Sequence, residues 1–345
     1  MKRLKKIGLG VLMSVIVLFA FILIVRKFND YSYKNTSTPS TGQYYRDVTN
    51  IDLYPTAIKG VDVNYIDEGR LQGFRLTPQQ KKHKGVVICF GGSEGSPNFE
   101  MAQRLSQEGY ETFALFMYGM NNQEKSLVRI PLEQFEDVLA YLDKTVIDKG
   151  PISVIGASKG AEYALNLASK YPEISNLVLI APASYNFSGL DFENYGSSWT
   201  YEDEELPYID IRKTSFRSFL TKVILPSIVK APISYKETYT SAVEQDPLNK
   251  QKMIPVKDVK ANILMIAGEE DAMWDSAKMA SEIKQRCPGA ELISYKDAGH
   301  VFAGNGILDT GAMRIRTGGS LEGNQQAQKD SDQAIDKFLT EHHRK

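Results

Sequence analysis

Short apolar runs alternate with amphipathic stretches through most of the chain beyond residue 45. Six of the runs are almost continuously apolar, which is typical of strands buried on both faces of a parallel sheet. The amphipathic stretches between them predict helices, so the alternation predicts a parallel sheet covered by helices. The predicted strands are 86–90, 112–116, 152–155, 177–180, 263–267 and 292–295, and the predicted helices are 99–107, 132–146, 161–169 and 276–286.

Residues 185–256 interrupt this alternation. The segment is rich in aromatic side chains, carries an acidic run at 202–205 and contains no long apolar run of the kind seen in the predicted strands. An insertion over one end of the sheet is the simplest explanation, and such insertions often serve as lids over active sites. Aromatic packing that only fastens a long loop is the alternative.

The first apolar segment, residues 7–25, has no charged residue and is long enough as a helix to cross a bilayer once. Four basic residues precede it and two follow it, which predicts a cytoplasmic N terminus and an extracytoplasmic remainder. We therefore expect a cell-membrane anchor (1–28), a polar linker (29–44) and a globular domain (45–345). A cleaved signal peptide is the alternative, although no small-x-small cleavage site precedes Arg26.

Composition narrows the classes of partner. The chain has 345 residues, of which 42% are hydrophobic, so it can bury a full core. Its formal net charge of −1 offers no basic surface, and no nucleic-acid partner is expected. The two cysteines, Cys89 and Cys287, have no second thiol or histidine at ligand spacing, so the sequence predicts neither a zinc site nor a disulfide framework.

The main candidate for chemistry is the turn that follows the predicted strand 152–155. The chain there reads Gly-Ala-Ser-Lys-Gly at 156–160 and continues into the predicted helix 161–169. A strand, a G-x-S-x-G sequence and a helix in succession are typical of a nucleophile elbow, in which glycines permit a tight turn and the helix N terminus favours developing negative charge. The pattern predicts Ser158 as a nucleophile. A plain helix N-cap is the alternative.

A serine nucleophile needs a base, and histidine is the usual one because its pKa lies near neutral pH. The chain has four histidines. His83 lies in a basic run, and His342 and His343 lie in a charged C-terminal tail, all of which are poor places for a base. His300 remains, in a loop that follows the last predicted strand.

The histidine in turn needs a carboxylate that fixes its tautomer and stabilises the imidazolium. In parallel α/β sheets that carry a nucleophile elbow, this acid lies between the serine and the histidine in sequence. The chain reads Gly-Glu-Glu-Asp at 268–271, directly after a predicted strand. We expect Asp271 to be the acid. Glu269, Glu270 and Asp275 are its competitors.

Two backbone N–H groups are expected to bind the oxyanion that forms during acyl transfer. One belongs to the residue after the nucleophile, Lys159, whose side chain is expected to be exposed at the helix start. The other is expected from the glycine loop 90–95, where the N–H of Ser93 or of Gly92 fits the role. The sequence does not separate these two.

The chain from residue 85 to about 341 resembles the C-terminal catalytic domain that acyl-CoA thioesterases share with bile acid-CoA:amino acid N-acyltransferases. The resemblance implies an α/β-hydrolase fold with Ser158 as nucleophile, Asp271 as acid and His300 as base. The motifs that carry it are Cys-Phe-Gly-Gly at 89–92, Gly-Ala-Ser-Lys-Gly-Ala-Glu at 156–162, Gly-Glu-Glu-Asp at 268–271 with Trp274, Ala-Gly-His at 298–300, Gly-Gly-Ser at 318–320 and a helix opening at 326–330.

Within that family the amidating members carry cysteine at the nucleophile and the thioesterases carry serine, so the serine here points to hydrolysis. The family's eukaryotic members also have a β-sandwich domain before the catalytic one. Only the residues 45–84 separate the predicted linker from the first main strand here. An acyl-CoA site shaped between two such domains is therefore not implied. The membrane anchor is a second departure, because a domain on the extracytoplasmic side would not meet cytosolic acyl-CoA. Either the orientation is the reverse of the one expected or the substrate is a different ester.

We accordingly expect a membrane-anchored serine hydrolase of acyl esters or thioesters, with an acyl-enzyme intermediate and no metal or organic cofactor. The aromatic insertion and the nearby bilayer favour a lipophilic acyl chain. Three other classes remain open. They are another serine hydrolase, such as an exopeptidase or a short-chain esterase; an acyltransferase; and a non-catalytic, membrane-tethered binding protein.

Overall fold

The computed structural model describes residues 2–34, 43–191 and 193–343, with side chains from residue 7 onward. Its strands are β1 (Ala57–Ile58), β2 (Val61–Glu68), β3 (Leu71–Pro78), β4 (Val86–Phe90), β5 (Glu111–Leu115), β6 (Ile130–Pro131), β7 (Ile152–Ala157), β8 (Ile174–Ile180), β9 (Trp199–Tyr201), β10 (Glu204–Glu205), β11 (Asn262–Gly268), β12 (Glu291–Tyr295), β13 (Ile307–Asp309) and β14 (Arg314–Arg316). Its α-helices are α1 (Lys2–Ser32), α2 (Phe99–Glu108), α3 (Gln134–Thr145), α4 (Lys159–Lys170), α5 (Phe216–Phe219), α6 (Leu225–Val229), α7 (Lys236–Gln245), α8 (Ser276–Arg286) and α9 (Leu321–His342).

The main sheet has the strand order β1-β2-β3-β5-β4-β7-β8-β11-β12. The six strands from β5 to β12 in this order run parallel, whereas β1, β2 and β3 form an antiparallel extension that joins at β5. These six are the six predicted strands, and their ends differ from the prediction by at most three residues. The predicted parallel sheet is therefore confirmed.

Two helical layers cover the sheet because each central strand is apolar on both faces. In β4, Val86, Ile88 and Phe90 pack into the core beneath α3, α4 and α8. Val87 and Cys89 alternate to the other face, where they join the core formed with α2 and α9. The period of two along a strand thus distributes one apolar run between two cores.

The insertion at 185–256 contains β9, β10, the short helices α5 and α6, and α7, and a π-helical turn (Leu220–Ile224) joins α5 to α6. Its aromatic side chains form a third apolar cluster. Phe187 stacks on Trp274, and Tyr239 meets both rings edge on. Because Trp274 lies just after the β11 end of the sheet, this cluster fixes the insertion to the carboxyl edge of the parallel strands.

The predicted linker 29–44 differs from the structure at both ends. Helix α1 continues through Ser32, where Asn29 Nδ2 donates a hydrogen bond to the Val229 carbonyl at 2.8 Å. Tyr44 is buried and stacks on Tyr54. The composition of this segment is that of a linker, but contacts with the domain hold its first and last residues in defined positions. The middle of the predicted linker, 35–42, lies outside the described residues.

The helix opening expected at 326–330 lies within α9, which closes one face of the sheet and continues to His342, in the stretch expected as a charged tail. Its apolar positions Ala327, Ile335, Phe338 and Leu339 recur at helical spacing and are buried. His343, which follows this helix, is itself buried. Because the solvent-exposed side of α9 is rich in charged residues, the overall composition of this segment does not reveal its apolar, buried side.

Candidate active site

The predicted nucleophile lies on a sharp turn between β7 and α4. Ser158 has φ 55° and ψ −118°, a conformation that L residues rarely adopt and that persists only where the surroundings enforce it. A Cβ at Gly156 would lie 2.1 Å from the Gly160 carbonyl oxygen, and a Cβ at Gly160 would lie 2.1 Å from that of Gly91. The two glycines therefore let the turn close tightly and lift Ser158 above the sheet edge.

The structure brings the three predicted triad residues together. His300 Nε2 lies 2.8 Å from Ser158 Oγ, and His300 Nδ1 lies 2.8 Å from Asp271 Oδ2. A carboxylate accepts the proton on Nδ1, which leaves Nε2 free to accept the serine hydroxyl proton. The three side chains thus form one continuous hydrogen-bonded line from hydroxyl to carboxylate.

Asp271 is held by its own loop. It is 1% exposed, and its Oδ1 accepts the backbone N–H groups of Met273 and Trp274 at 2.8 and 3.2 Å. The Trp274 ring meets the His300 ring edge on, with centroids 5.3 Å apart. The backbone N–H of His300 donates a hydrogen bond to the Thr317 carbonyl at 2.7 Å. Backbone contacts therefore hold both Asp271 and His300 in place.

The competing carboxylates have other positions. Glu269 accepts a hydrogen bond from Ser294 Oγ and Asp275 pairs with Lys236, while Glu270 is exposed. Of the four carboxylates that the sequence offers, Asp271 is the one bonded to His300.

The predicted oxyanion donors lie beside the nucleophile but are not equivalent. Lys159 is the first residue of α4, so its N–H has no acceptor within the helix. The Gly92 N–H is occupied, because it donates to Glu94 Oε1 at 3.1 Å. The Ser93 N–H has no protein acceptor in the described part of the chain, and Tyr118 holds the same loop by donating its hydroxyl proton to the carbonyl of the following peptide, Ser93 O. The geometry favours Ser93 over Gly92.

The expectation that the Lys159 side chain is exposed is wrong. The side chain is 1% exposed, and its Nζ lies 2.8 Å from both Glu162 Oε2 and Ser198 Oγ. Burial lowers the pKa of Lys159, while the Glu162 carboxylate acts in the opposite direction. The other oxygen, Glu162 Oε1, accepts hydrogen bonds from the Phe187 N–H and Trp199 Nε1.

This buried ion pair is the feature that sequence reasoning missed. It joins the start of α4, directly after Ser158, to the first part of the insertion. A lysine and a glutamate three residues apart in a helix rich in small apolar residues is a local signal for such a pair. Its burial depends on Ser198 and Trp199, which lie almost forty residues further along the chain.

The sequence profile of the family described as BAAT / Acyl-CoA thioester hydrolase C terminal matches residues 130–345. The chain belongs to this family. The match covers Ser158, Asp271 and His300, and it begins after the glycine loop that holds Ser93 and Gly92.

Individual relatives agree with this assignment. Acyl-coenzyme A thioesterase 1 of Rattus norvegicus is 28% identical over 243 residues, which are 68% of this chain and 52% of that protein. Acyl-coenzyme A amino acid N-acyltransferase 2 of Mus musculus is 26% identical over 250 residues, which are 70% of this chain and 55% of that protein. The chain therefore spans about half the length of these relatives.

Solved structures show the fold. An esterase of Pyrococcus furiosus aligns with a TM-score of 0.53 and 16% identity, over 82% of this chain and 92% of that chain. An acylaminoacyl peptidase of Pyrococcus horikoshii aligns with a TM-score of 0.51 and 16% identity, over 84% of this chain and 43% of that chain. The predicted α/β-hydrolase fold is confirmed.

Proposed function

We propose that this family member is a serine hydrolase that cleaves acyl thioesters or esters through an acyl-enzyme on Ser158. The single observation that carries the proposal is the hydrogen-bonded line Ser158–His300–Asp271, with 2.8 Å at each junction. The positive φ of the serine and the free N–H groups beside it support the same role, because a nucleophile needs both exposure and oxyanion donors.

The proposed reaction proceeds in four steps that the geometry supports. Ser158 Oγ attacks the acyl carbonyl while His300 Nε2 takes the hydroxyl proton, and Asp271 stabilises the imidazolium that results. The N–H groups of Lys159 and Ser93 stabilise the negative charge on the carbonyl oxygen. His300 then gives its proton to the leaving thiol or alcohol. Water repeats the attack on the acyl-enzyme, with His300 again as base, and releases the acid.

A thioester is the leading substrate class because the family and the thioesterases among the relatives are named for acyl-CoA thioesters. Transfer to an amine is the second candidate, favoured by the similarity to an N-acyltransferase. We also propose a lipophilic acyl chain, because the insertion places apolar aromatic side chains beside the triad: Trp274 meets the His300 ring edge on and stacks on Phe187.

We also propose that α1 anchors the enzyme in the cell membrane with the domain on the extracytoplasmic side. Among the described residues one helix is long and apolar enough to cross a membrane, within Ile7–Ser32. The contact between Asn29 and Val229 supports an anchor that stays with the domain rather than a removed signal. The excess of basic residues before the span supports this orientation. With the domain outside, the substrate is an extracytoplasmic thioester or ester other than cytosolic acyl-CoA.

A substrate panel tests the proposed reaction. The full chain in detergent is given acyl-CoA thioesters, soluble esters and aminoacyl amides of increasing acyl length, with and without an amine acceptor, and products are identified by mass spectrometry. We expect free acid and thiol from the thioesters, at a rate that rises with chain length and disappears in Ser158→Ala. An amide product would assign the chain to the transferases. Turnover that survives Ser158→Ala would reject the mechanism.

A further inference from the structure

The helical part of the insertion exposes large apolar side chains to solvent. We define the insertion helix as residues 216–229, which comprise α5, the π-helical turn and α6. Four of its side chains, here termed the apolar face, are strongly exposed: Phe216 (77%), Phe219 (41%), Leu225 (48%) and Ile228 (43%). Apolar residues gathered on one surface segment commonly mark a contact with a membrane or a protein.

Helix α1 packs directly against α6. Besides the hydrogen bond from Asn29 to Val229, Asp30 pairs with Lys230 Nζ and with Arg314 Nη2, each at 3.1 Å. The insertion helix therefore lies beside the point where the apolar helix leaves the domain. Apolar residues of α1 just before this point, Ile24 and Phe28, are 66% and 67% exposed.

The sequence of the insertion helix and its immediate flanks is basic. Residues 211–236 contain six lysines and arginines and no aspartate or glutamate. Four of the six form ion pairs with acidic residues outside the segment: Arg212 with Asp210, Lys222 with Glu237, Lys230 with Asp30 and Lys236 with Asp275. Lys213 and Arg217 are exposed and form no ion pair among the described residues, so they are the side chains available to anionic headgroups. Exposed apolar side chains flanked by basic ones are the composition of helices that lie in the headgroup region of membranes and attract anionic lipids.

We propose that the apolar face is a membrane-binding surface that lies in the headgroup region of the leaflet from which α1 emerges, with anionic phospholipid as its partner. The inference rests on the proposed anchor. It adds a second contact with the bilayer, because α1 alone would tether the domain without fixing its orientation.

Contacts within the domain connect this surface to the triad. Just after α6, the Tyr235 and Lys236 N–H groups and Ser234 Oγ all donate to the Ala272 carbonyl, next to Asp271. On the other loop, Arg314 precedes Thr317, whose carbonyl accepts the His300 N–H. A bilayer on the apolar face would therefore lie at the same edge of the sheet as the acid and the base. An acyl chain would approach the triad from the lipid side.

Site-directed fluorescence quenching tests the surface on the full chain. The protein is reconstituted in vesicles of phosphatidylcholine and phosphatidylglycerol, and single cysteines at Leu225→Cys and Ile228→Cys carry a small fluorophore. Cys287 is replaced by serine, whereas Cys89 is buried and burial raises the pKa of its thiol to about 12, so it resists labelling. Lipids with a quencher at headgroup level or deep in the acyl region report depth.

Two control positions separate the outcomes. Ile147→Cys is an exposed apolar position before β7, at the opposite edge of the parallel strands, and Ile16→Cys lies in the middle of the α1 span. We expect headgroup-level quenching at 225 and 228, deep quenching at 16 and none at 147. Weaker quenching at 225 and 228 is expected without phosphatidylglycerol.

Quenching at 16 but not at 225 or 228 would overturn the surface and leave the anchor intact. No quenching at any position would overturn both. A blue-shifted but unquenched probe at 225 would mean that protein covers the apolar face, which also contradicts the proposal. None of these outcomes depends on catalytic activity, so they are distinct from failure of the proposed reaction.

Discussion

Two serine–histidine pairs lie at opposite edges of the parallel strands. At the carboxyl edge, Ser158 Oγ and His300 Nε2 are 2.8 Å apart. At the amino edge, Ser153 Oγ and His343 Nδ1 are 2.7 Å apart. Both histidines are buried, so neither distance nor burial distinguishes a candidate catalytic pair from a structural one.

The second ring nitrogen makes the difference. The other nitrogen of His300 bonds the Asp271 carboxylate, which can stabilise an imidazolium. His343 Nε2 instead donates to the Lys84 carbonyl at 2.6 Å, so its Nδ1 accepts from Ser153. Burial lowers the pKa of His343 to about 4, and nearby His83 and Lys81 act in the same direction. His343 is therefore a neutral side chain whose two hydrogen bonds attach the end of α9 to the sheet.

The serines differ as well. Ser158 lies on a strained turn before a helix, with free N–H groups beside it, whereas Ser153 lies within β7 and accepts a hydrogen bond from Asn176 Nδ2. The Ser153 hydroxyl is buried and already hydrogen-bonded to both His343 and Asn176, so no space remains beside it for an acyl group. The comparison teaches that the carboxylate and the turn, more than the pair itself, mark the candidate site.

Substitution of the two serines should give the largest contrast. We expect Ser158→Ala to lower kcat by roughly 10³-fold to 10⁶-fold, because the nucleophile is lost while binding remains. Ser153→Ala is the matched control and should leave kcat within about twofold, since surface and strand changes away from a site act mainly on stability. Steady-state hydrolysis rates check both. Equal losses in the two variants would contradict the comparison.

Asp271→Asn should give the next largest effect. The amide keeps the shape but cannot stabilise an imidazolium, and it favours the wrong histidine tautomer. We expect a loss in kcat of about 10⁴-fold. The control is Asp275→Asn, a neighbouring carboxylate that does not touch His300. Kinetics on an unchanged fold, verified by circular dichroism, provide the measurement, and near-normal turnover in Asp271→Asn would remove the acid from the mechanism.

Lys159→Met tests the buried ion pair at the catalytic edge. The change leaves the Glu162 carboxylate buried without its ammonium partner, so we expect the free energy of unfolding to fall by about 3–5 kcal/mol. The double variant Lys159→Met/Glu162→Gln should recover part of the loss, because no unpaired charge remains. Denaturant titration measures both. A single variant as stable as the wild type would show that the pair does not hold the elbow to the insertion.

The smallest predicted effect concerns His343. Its folded-state pKa of about 4 lies below the ordinary value of 6.5, so the unfolded chain binds a proton first as pH falls. Stability from this group is complete above about pH 6.5 and is lost towards pH 4, by at most about 3 kcal/mol.

Unfolding free energies of wild type and His343→Gln over this pH range isolate the contribution. The difference in unfolding free energy between wild type and His343→Gln should shrink as pH falls. The kcat of the variant at neutral pH should equal that of the wild type. A difference in unfolding free energy that stays constant with pH would show that the fold does not hold His343 neutral.

Much of the candidate site at the carboxyl edge could be predicted from the sequence because its signals are local. Each central strand is a short apolar run, and Ser158, Asp271 and His300 all follow such runs directly. The amino edge could not be predicted in this way. His343 lies there and is buried only because α9 folds back onto the sheet. Strand β2, in the antiparallel extension between β1 and β3, alternates polar and apolar residues because one of its faces is solvated, and it lacks the continuous apolar run of the parallel strands.

The buried Lys159 side chain was missed for a similar reason. Its position at a helix start indicates exposure, and its burial comes from Ser198 in a distant segment. The end of α1 is ordered by Lys230 and Arg314, which lie two hundred residues or more away in the chain. Local patterns therefore predicted the reactive turn, whereas the contacts that brace it depend on the tertiary fold.

The most direct test of the central claim, that His300 activates Ser158, is covalent labelling of the full chain with a fluorophosphonate probe, followed by peptide mass spectrometry. We predict a single adduct on Ser158 that is absent in Ser158→Ala, strongly slowed in His300→Gln and formed at the wild-type rate in His343→Gln. An adduct on another serine, or labelling that His300→Gln leaves unchanged, would contradict the account.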